Sequence, residues 1–348
     1  MVINERPGVY SSVEVSSSLS GSNTGKTVGI AAVSAAGEKG VCKSVASYGE
    51  AVSLYGADCN LTKLIKVLLL NGAAAVEAVP VSVGTAATAS DYAAAFAALM
   101  DKEDISIMVC DSRNIEVYSK MKAAIEGASE NCKYRIGIVE SAGTVNEAAN
   151  KAAELNYERI VMVYPAVEDD GALCGASAAA MAGLVSSGSD PALPVNGAVL
   201  SGIDGFSRVF SDAEINTLIK AGVTPIESVY GNPSVVRGVT TRTKTAGVAD
   251  TTWRELTTVL IIDDVIPSVR SALRRKFPRV KNTAQTRGAI RTQVIIELEN
   301  KLKREIIDAY GPVTASADET DPTVCIVGFE FTVAHGLNRI ILSAHISV

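Results

Sequence analysis

From residue 91 to residue 185, short apolar runs alternate with longer stretches of helical periodicity, and this alternation leaves few folds open. The spacing predicts helices at 92–100, 115–126, 145–155 and 173–185, with strands at 105–110, 134–139 and 159–163. Strands separated by one helix each imply right-handed βαβ crossovers and a largely parallel sheet with helices on its faces. Upstream, the pattern predicts a strand at 27–33, helices at 48–55 and 62–70, and a strand at 76–83. Gly56 ends the first of these helices; Asn60 caps the second and Asn71-Gly72 closes it. A Gly/Ser/Pro-rich connection at 186–205 interrupts the pattern. Beyond it come a helix at 212–221, strands at 225–230 and 235–243, and a strand-to-helix stretch at 253–277 closed by Pro278. A long amphipathic helix at 287–310 is stopped by Gly311-Pro312, and strands at 324–333 and 339–348 finish the chain.

The expected class is α/β, with mixed sheets flanked by helices and a βαβ-rich middle block. At 348 residues the chain has room for two or three domains, and 47% hydrophobic residues with only 5% aromatics suits close helix-on-sheet packing by Ala, Val and Ile. The organisation reads as an N-terminal arm at 1–25, a first part of the core domain at 26–90, a βαβ domain at 91–200, the remainder of the core at 201–335, and a C-terminal arm strand at 336–348. Val9, Ser11, Val13 and Val15 alternate, and a Ser/Gly/Asn run follows, so this strand has nothing local to pair with. In the last strand Ile340, Leu342, Ala344, Ile346 and Val348 share one face, the clearest period-2 signal in the chain. Such a strand either edges its own sheet or is donated to a neighbour.

No candidate catalytic motif is complete. Gly21 to Thr27 has a P-loop flavour, but three residues separate its glycines instead of four, and Val28-Gly29-Ile30-Ala31 reads as a strand where a helix should open. None of the strand-to-helix turns carries the dinucleotide fingerprint. Gly175-Ala-Ser177-Ala-Ala179 lacks the last glycine of a nucleophile elbow, and only His335 and His345 are on hand to serve it. Cys110 reads as a buried small hydrophobe, the two histidines lack a third metal ligand, and Glu168-Asp169-Asp170-Gly171 reads as a solvated turn. Six cysteines without a C-x-x-C pair indicate neither zinc nor a disulfide framework and fit a reducing cytoplasm. The opening MVINERPGVY lacks the pattern of a signal peptide, and polar residues interrupt the apolar stretch 61–83, so a soluble protein outside the general secretory route is expected. The reading is therefore of a non-enzyme with no cofactor and no metal. The competing reading is a nucleotide-using or hydrolytic α/β enzyme with its site at the strand ends of residues 105–164.

The informative cluster is basic. Arg270, Arg274, Arg275, Lys276, Arg279, Lys281, Arg287 and Arg291 fall within 22 residues that contain no acid. The chain as a whole is −6; without these eight, 24 basic residues face 38 acidic ones, so the segment carries +8 and the rest −14. A solvated helix face, a nucleic-acid surface and an acidic protein partner all use such a run. Stacking aromatics are missing except for Phe277, which favours a protein partner over nucleic acid.

In order along the chain, Glu5-Arg6-Pro7-Gly8-Val9-Tyr10, the strand Val28 to Val33, Ser47-Tyr48 through Leu54-Tyr55-Gly56, and Leu69 to Val83 resemble the contractile tail sheath family of phages and phage-tail-like R-type bacteriocins. Ala178 to Leu184, Ile215 to Val223, Trp253-Arg254-Glu255 and the run from Lys281-Asn282 into the long helix continue the resemblance. It spans nearly the whole chain, and the order of the motifs carries its weight. The resemblance implies a structural subunit that stacks in hexameric rings around an inner tube and contracts. It further implies terminal arms, here Val9, Tyr10, Val13, Val15 and the alternating 340–348 residues, that add strands to neighbouring subunits. It implies as partners other copies of the chain, the inner tail tube protein, and baseplate and terminator proteins. Direct nucleic-acid contact and membrane insertion are not expected. Synthesis in a bacterial cytoplasm, a final place in the tail particle and a tube-facing inner domain at 201–335 follow in the same way. The chain is short for that family, so outer decorative domains are expected to be reduced or missing.

Overall fold

The computed structural model describes residues 26–167, 173–203 and 208–338. In chain order the elements are β1 (Thr27–Ser34), β2 (Lys43–Val45), α1 (Tyr48–Tyr55), α2 (Asn60–Leu70), β3 (Ala75–Val83), α3 (Ala89–Met100), β4 (Ile105–Cys110) and α4 (Ile115–Glu130). Then follow β5 (Ile136–Glu140), α5 (Val145–Leu155), β6 (Ile160–Tyr164), α6 (Ala176–Ser187), α7 (Asp212–Lys220), β7 (Val223–Val229), β8 (Asn232–Val235), β9 (Lys244–Thr245) and β10 (Val248–Ala249). The chain continues with α8 (Leu256–Lys276), α9 (Ala284–Lys303), β11 (Ile307–Tyr310), β12 (Thr314–Ala317), β13 (Cys325–Gly328) and β14 (Phe331–Val333).

Eight strands form one sheet in the order β2-β3-β1-β4-β5-β6-β7-β8. The six inner strands are parallel, and β2 and β8 close the edges antiparallel to β3 and β7. Alternate side chains feed two cores. Ile30, Val109, Ile138 and Val163 face α1, α2 and α6 on one side, while Met108, Val139 and Met162 face α3, α4, α5 and α7 on the other. Each fully buried side chain of this kind contributes roughly 1.5–3 kcal/mol. The sheet is continuous across residues 90 and 91 and runs on to 235, so the segments 26–90, 91–200 and the start of 201–335 all supply strands to it.

Local chemistry starts and stops the helices as the patterns predict. Thr88 with Asp91, Thr144 with Glu147 and Ser211 with Glu214 form capping boxes at α3, α5 and α7. Gly72 closes α2 with φ +97°, a left-handed backbone that glycine adopts without steric cost. At its start, α2 corrects the sequence reading: Asn60 is its first residue, and the Cys59 thiol caps it by accepting from the Thr62 N–H. α6 is almost wholly buried, with small residues at most positions, so it lies close against both the sheet and α2.

A third core forms around Ile261, Val265, Val269, Val294, Leu298, Ile306 and Ile307. α8 spans two cores, because Leu256, Val259 and Leu260 pack on the sheet while Ile261, Val265 and Val269 pack on α9. Here the sequence reading needs three corrections. The helix expected to run to 310 ends at Lys303; Glu305 turns left-handed (φ 57°), and residues 307–310 pair with β14 instead. The strand expected at 324–333 is two strands in two sheets, since β13 pairs with β12 and β14 with β11. The strand expected at 235–243 is confined to 232–235, and beyond it the chain makes only an isolated bridge from Val239 to Glu255. In the first two cases cross-strand pairing overrides a periodicity that local sequence alone supports, and in the third the pairing with β7 stops at Val235. The arm at 1–25 and the last strand at 339–348 lie outside the described residues.

Gly183 marks where α6 meets α2. A Cβ there would sit 2.6 Å from the Asn71 Cβ and 2.7 Å from the Leu68 carbonyl oxygen. In an open helix Gly→Ala stabilises by about 1 kcal/mol. Gly183→Ala is expected to have the opposite sign, destabilising by about 1–3 kcal/mol in urea unfolding because the two helices must separate.

Candidate functional site

The C-terminal ends of the parallel strands, where α/β enzymes place reactive groups, are occupied by the chain's own polar network. β5 ends at Glu140, whose side chain is fully buried and accepts from the N–H groups of Gly175 (2.8 Å) and Ser177 (3.1 Å) at the start of α6. The remaining approach is taken by Arg113, whose Nε donates to Glu140 Oε1 at 2.8 Å. A carboxylate at a helix N-terminus is stabilised by the helix dipole and by N–H groups that otherwise lack partners. Gly175 is left-handed at φ +93°, and a Cβ there would lie 2.7 Å from the Cys110 carbonyl oxygen, so the entry to α6 is tight against β4.

Just beyond β4, Asp111 is held in the same way. Its Oδ1 accepts from the Tyr92 hydroxyl (2.5 Å), and its Oδ2 accepts from the Val33 N–H (2.9 Å) and the Asn60 amide (3.2 Å). Burial keeps this carboxyl above the usual carboxylate range. Burial likewise raises the thiols of Cys110 and Cys174, the latter to about 12, so neither is a thiolate at neutral pH. Ser177 is buried and donates its hydroxyl to the Pro165 carbonyl, while His335 is exposed and distant in sequence from any nucleophile. Lys26 does not open a helix; its N–H donates to the Ser186 carbonyl as β1 begins. These groups connect strands to helices. Among the described residues, no attacking group, base and substrate space come together at the strand ends.

The basic segment lies on the other side of the molecule's chemistry, along α8 and the turn into α9. Arg274, Arg275, Lys276, Arg279, Lys281 and Arg291 are exposed, while Arg270 and Arg287 are half-buried. Among the described residues none of the eight pairs with a carboxylate. Lys276 Nζ donates to Gln293 (2.7 Å), and Arg287 donates to Asn282 Oδ1 (3.0 Å). Arg270 donates to the Cys132 carbonyl and lies over the Tyr134 ring at 5.8 Å. The structure thereby splits the segment. Arg270 and Arg274 line a groove between α8 and the starts of β4 and β5, whereas the other six cluster at the α8–α9 corner and along α9.

Two features escape the linear reading. First, Asp263 and Asp264 lock α8 in place: Arg159 grips Asp263 with two bonds of 2.7 and 2.8 Å, and Lys301 of α9 reaches Asp264 at 2.5 Å. Second, the corner that is free of acids in sequence has acids as neighbours in space. Asn282 donates to the carbonyls of Pro322 and Val324, which brings the Asp318-Glu319-Thr320-Asp321 turn beside it. No helix among the described residues is long and apolar enough to cross a membrane.

Buried carboxylates that pin helices, and surface cations without carboxylate partners among the described residues, mark out an α/β protein whose polar chemistry braces its fold. Two family models match in succession, the phage tail sheath protein central domain over residues 85–241 and the phage tail sheath C-terminal domain over 248–347. The chain belongs to the phage tail sheath family, whose members are structural and not enzymes. It is 28% identical over 254 residues to a tail sheath protein of Bacillus phage SP01, a match that covers 70% of this chain and 43% of that relative's length. In fold it is similar to a chain of the anti-feeding prophage baseplate (TM-score 0.77, 16% identity, 99% of this chain and all of that one). A chain of the same system's helical sheath in the contracted state gives 0.73 at 16% identity, over 99% of both chains. A sheath tail protein from Desulfitobacterium hafniense gives 0.71 at 13% identity, covering 94% of this chain and all of the other.

The Glu140 network yields a direct test of its structural role. Glu140→Ala strands two helix N–H groups and leaves Arg113 without its carboxylate, and it is expected to cost about 3 kcal/mol in chemical unfolding. Loss of less than about 1 kcal/mol would show that α6 is held by packing alone.

Proposed function

We propose that this chain is the repeating subunit of a contractile tail sheath that polymerises as stacked hexameric rings around an inner tube and contracts to drive the tube through a target envelope. The ordered match of both sheath domain models, on a fold that aligns from end to end with a subunit of a contracted helical sheath, carries the reading. The partners are further copies of the chain, an inner tail tube protein, and baseplate and terminator proteins. Nucleic acid is not contacted directly and no membrane is entered. The chain is made in a bacterial cytoplasm and matures within the tail of a phage or phage-tail-like bacteriocin.

In this reading the work is mechanical. Subunits assemble in an extended arrangement templated by the tube, then rotate and move outward into a better-packed lattice, and the difference in interface free energy drives the stroke. The arm residues Val9, Tyr10, Val13 and Val15 and the strand Ile340, Leu342, Ala344, Ile346, Val348 keep neighbours joined by adding strands to their sheets. Main-chain hydrogen bonds supply the joint and alternating apolar side chains its register. Residues 201–335 form the inner side, and the corner cations Arg275, Lys276, Arg279, Lys281, Arg287 and Arg291 face an acidic tube. Their lack of carboxylate partners among the described residues supports that assignment, because an unpaired cationic surface attracts an anionic one at long range.

Removal of residues 339–348 is expected to abolish polymers seen by sedimentation while leaving a cooperatively melting monomer; normal polymers from that truncation would refute strand donation. Arg275→Glu, Lys276→Glu and Arg279→Glu together are expected to weaken binding to the tube protein by about ten-fold or more, with the wild-type interaction falling steeply as salt rises. Unchanged binding would make the corner a solvated face.

A further inference from the structure

The groove beneath α8 is not accounted for by a tube-facing surface. It has a volume of about 750 Å³ and carries five cationic side chains, Lys26, Lys133, Arg135, Arg270 and Arg274, against three acids, Glu103, Asp263 and Asp264. Two of those acids are already engaged, since Asp263 holds Arg159 and Asp264 holds Lys301, and neither of these basic partners lines the groove. Arg135 is 1% exposed, yet no carboxylate among the described residues reaches it. It donates to the carbonyls of Met100, Lys102 and Ile105 and to the Met100 sulfur, and burial lowers its pKa. The C-terminal carbonyls of α3 stabilise this cation in part, but a desolvated charge without a counter-ion favours any anion that comes close. The side chains of Lys133 and Arg274 have no hydrogen-bond or ion-pair partner among the described residues.

The same chain presents a matching acidic turn between β12 and β13. Glu319 and Asp321 are exposed and Asp318 is half-buried. Asp318 Oδ1 accepts from the N–H groups of Thr320 (2.8 Å) and Asp321 (2.9 Å) and from the Thr320 hydroxyl (2.6 Å). Asp321 Oδ1 accepts from the Thr323 N–H (2.8 Å) and hydroxyl (2.6 Å). These bonds lower the pKa of both carboxyls and fix their direction, while the Oδ2 of each makes no bond among the described residues. Asn282 ties the base of the turn to the α8–α9 corner, where it pairs with no groove cation of its own chain.

We propose that the groove of one copy receives the 318–321 turn of a second copy, with Asp318, Glu319 and Asp321 meeting Lys133, Arg270 and Arg274. The inference rests on the sheath reading, because it joins copies of the chain to one another, and it assigns Arg270 and Arg274 to contacts between subunits and not to the tube. A groove that is net positive and a preorganised turn carrying three negative charges are complementary, and such pairs fix register and suppress wrong neighbours.

Charge reversal in separate copies tests it. Lys133→Glu/Arg274→Glu reverses the groove, and Glu319→Lys/Asp321→Lys reverses the turn. Each variant alone is expected to need about ten-fold more protein than wild type to form sedimenting polymer. A one-to-one mixture is expected to return to the wild-type threshold, since alternating copies then meet opposite charges on both sides. Assembly of either variant alone at the wild-type threshold, or a mixture no better than its parts, overturns the inference. If a reversed groove fails to melt cooperatively, Lys133→Gln/Arg274→Gln replaces it and is expected to remove most of the salt dependence of assembly; unchanged salt dependence overturns the inference. Wild type that forms no polymer at all contradicts the sheath reading and takes this inference with it, a result distinct from failure of the groove alone.

Discussion

Two adjacent aspartates on α8 hold the molecule together across its internal boundary. Asp263 is gripped by Arg159 at the start of β6, and Asp264 pairs with Lys301 of α9. Burial penalises the charge on Asp263, and the paired guanidinium offsets that penalty. Because α8 also lends its apolar residues to both cores, its position relative to β4, β5 and β6 is set by packing and charge together. The groove, the basic corner and the acidic turn all inherit their positions from that one helix.

In the proposed sheath, this arrangement suits a part that moves as a unit. A subunit that changes its neighbours without changing its fold needs a stiff interior and chemistry at its margins. The interior is stiff for identifiable reasons: six parallel strands covered on both faces, a buried α6 seated on Glu140, and helix starts locked by capping boxes. The margins hold the unpaired cations and the exposed acids.

The sheet was legible in sequence because its signals are local. Runs such as Ile105–Cys110 and stops such as Asn71-Gly72 depend on residues a few positions apart, and the observed elements match them within a few residues. The C-terminal third was misread where pairing is non-local. Ile306 and Ile307 continue the apolar spacing of α9, and only Glu305 turning left-handed and the partner strand 331–333 convert them to β structure. The basic run was visible as a run, but its division was not. Whether Arg274 lines a groove while Arg275 does not depends on where β4 and β5 begin, which neighbouring residues do not encode. The pairing of Asp263 with Arg159 spans 104 residues and left no local trace, and the acids near Asn282 come from 36 or more residues away.

The central claim is that this chain acts by building a lattice of itself, held by contacts at its margins around a rigid core. Cryo-electron microscopy of the purified full-length chain under assembling conditions addresses it most directly. Hollow tubes of stacked six-fold rings, with the fold of each subunit unchanged, are expected. A uniform population of isolated subunits across protein and salt concentrations would contradict it.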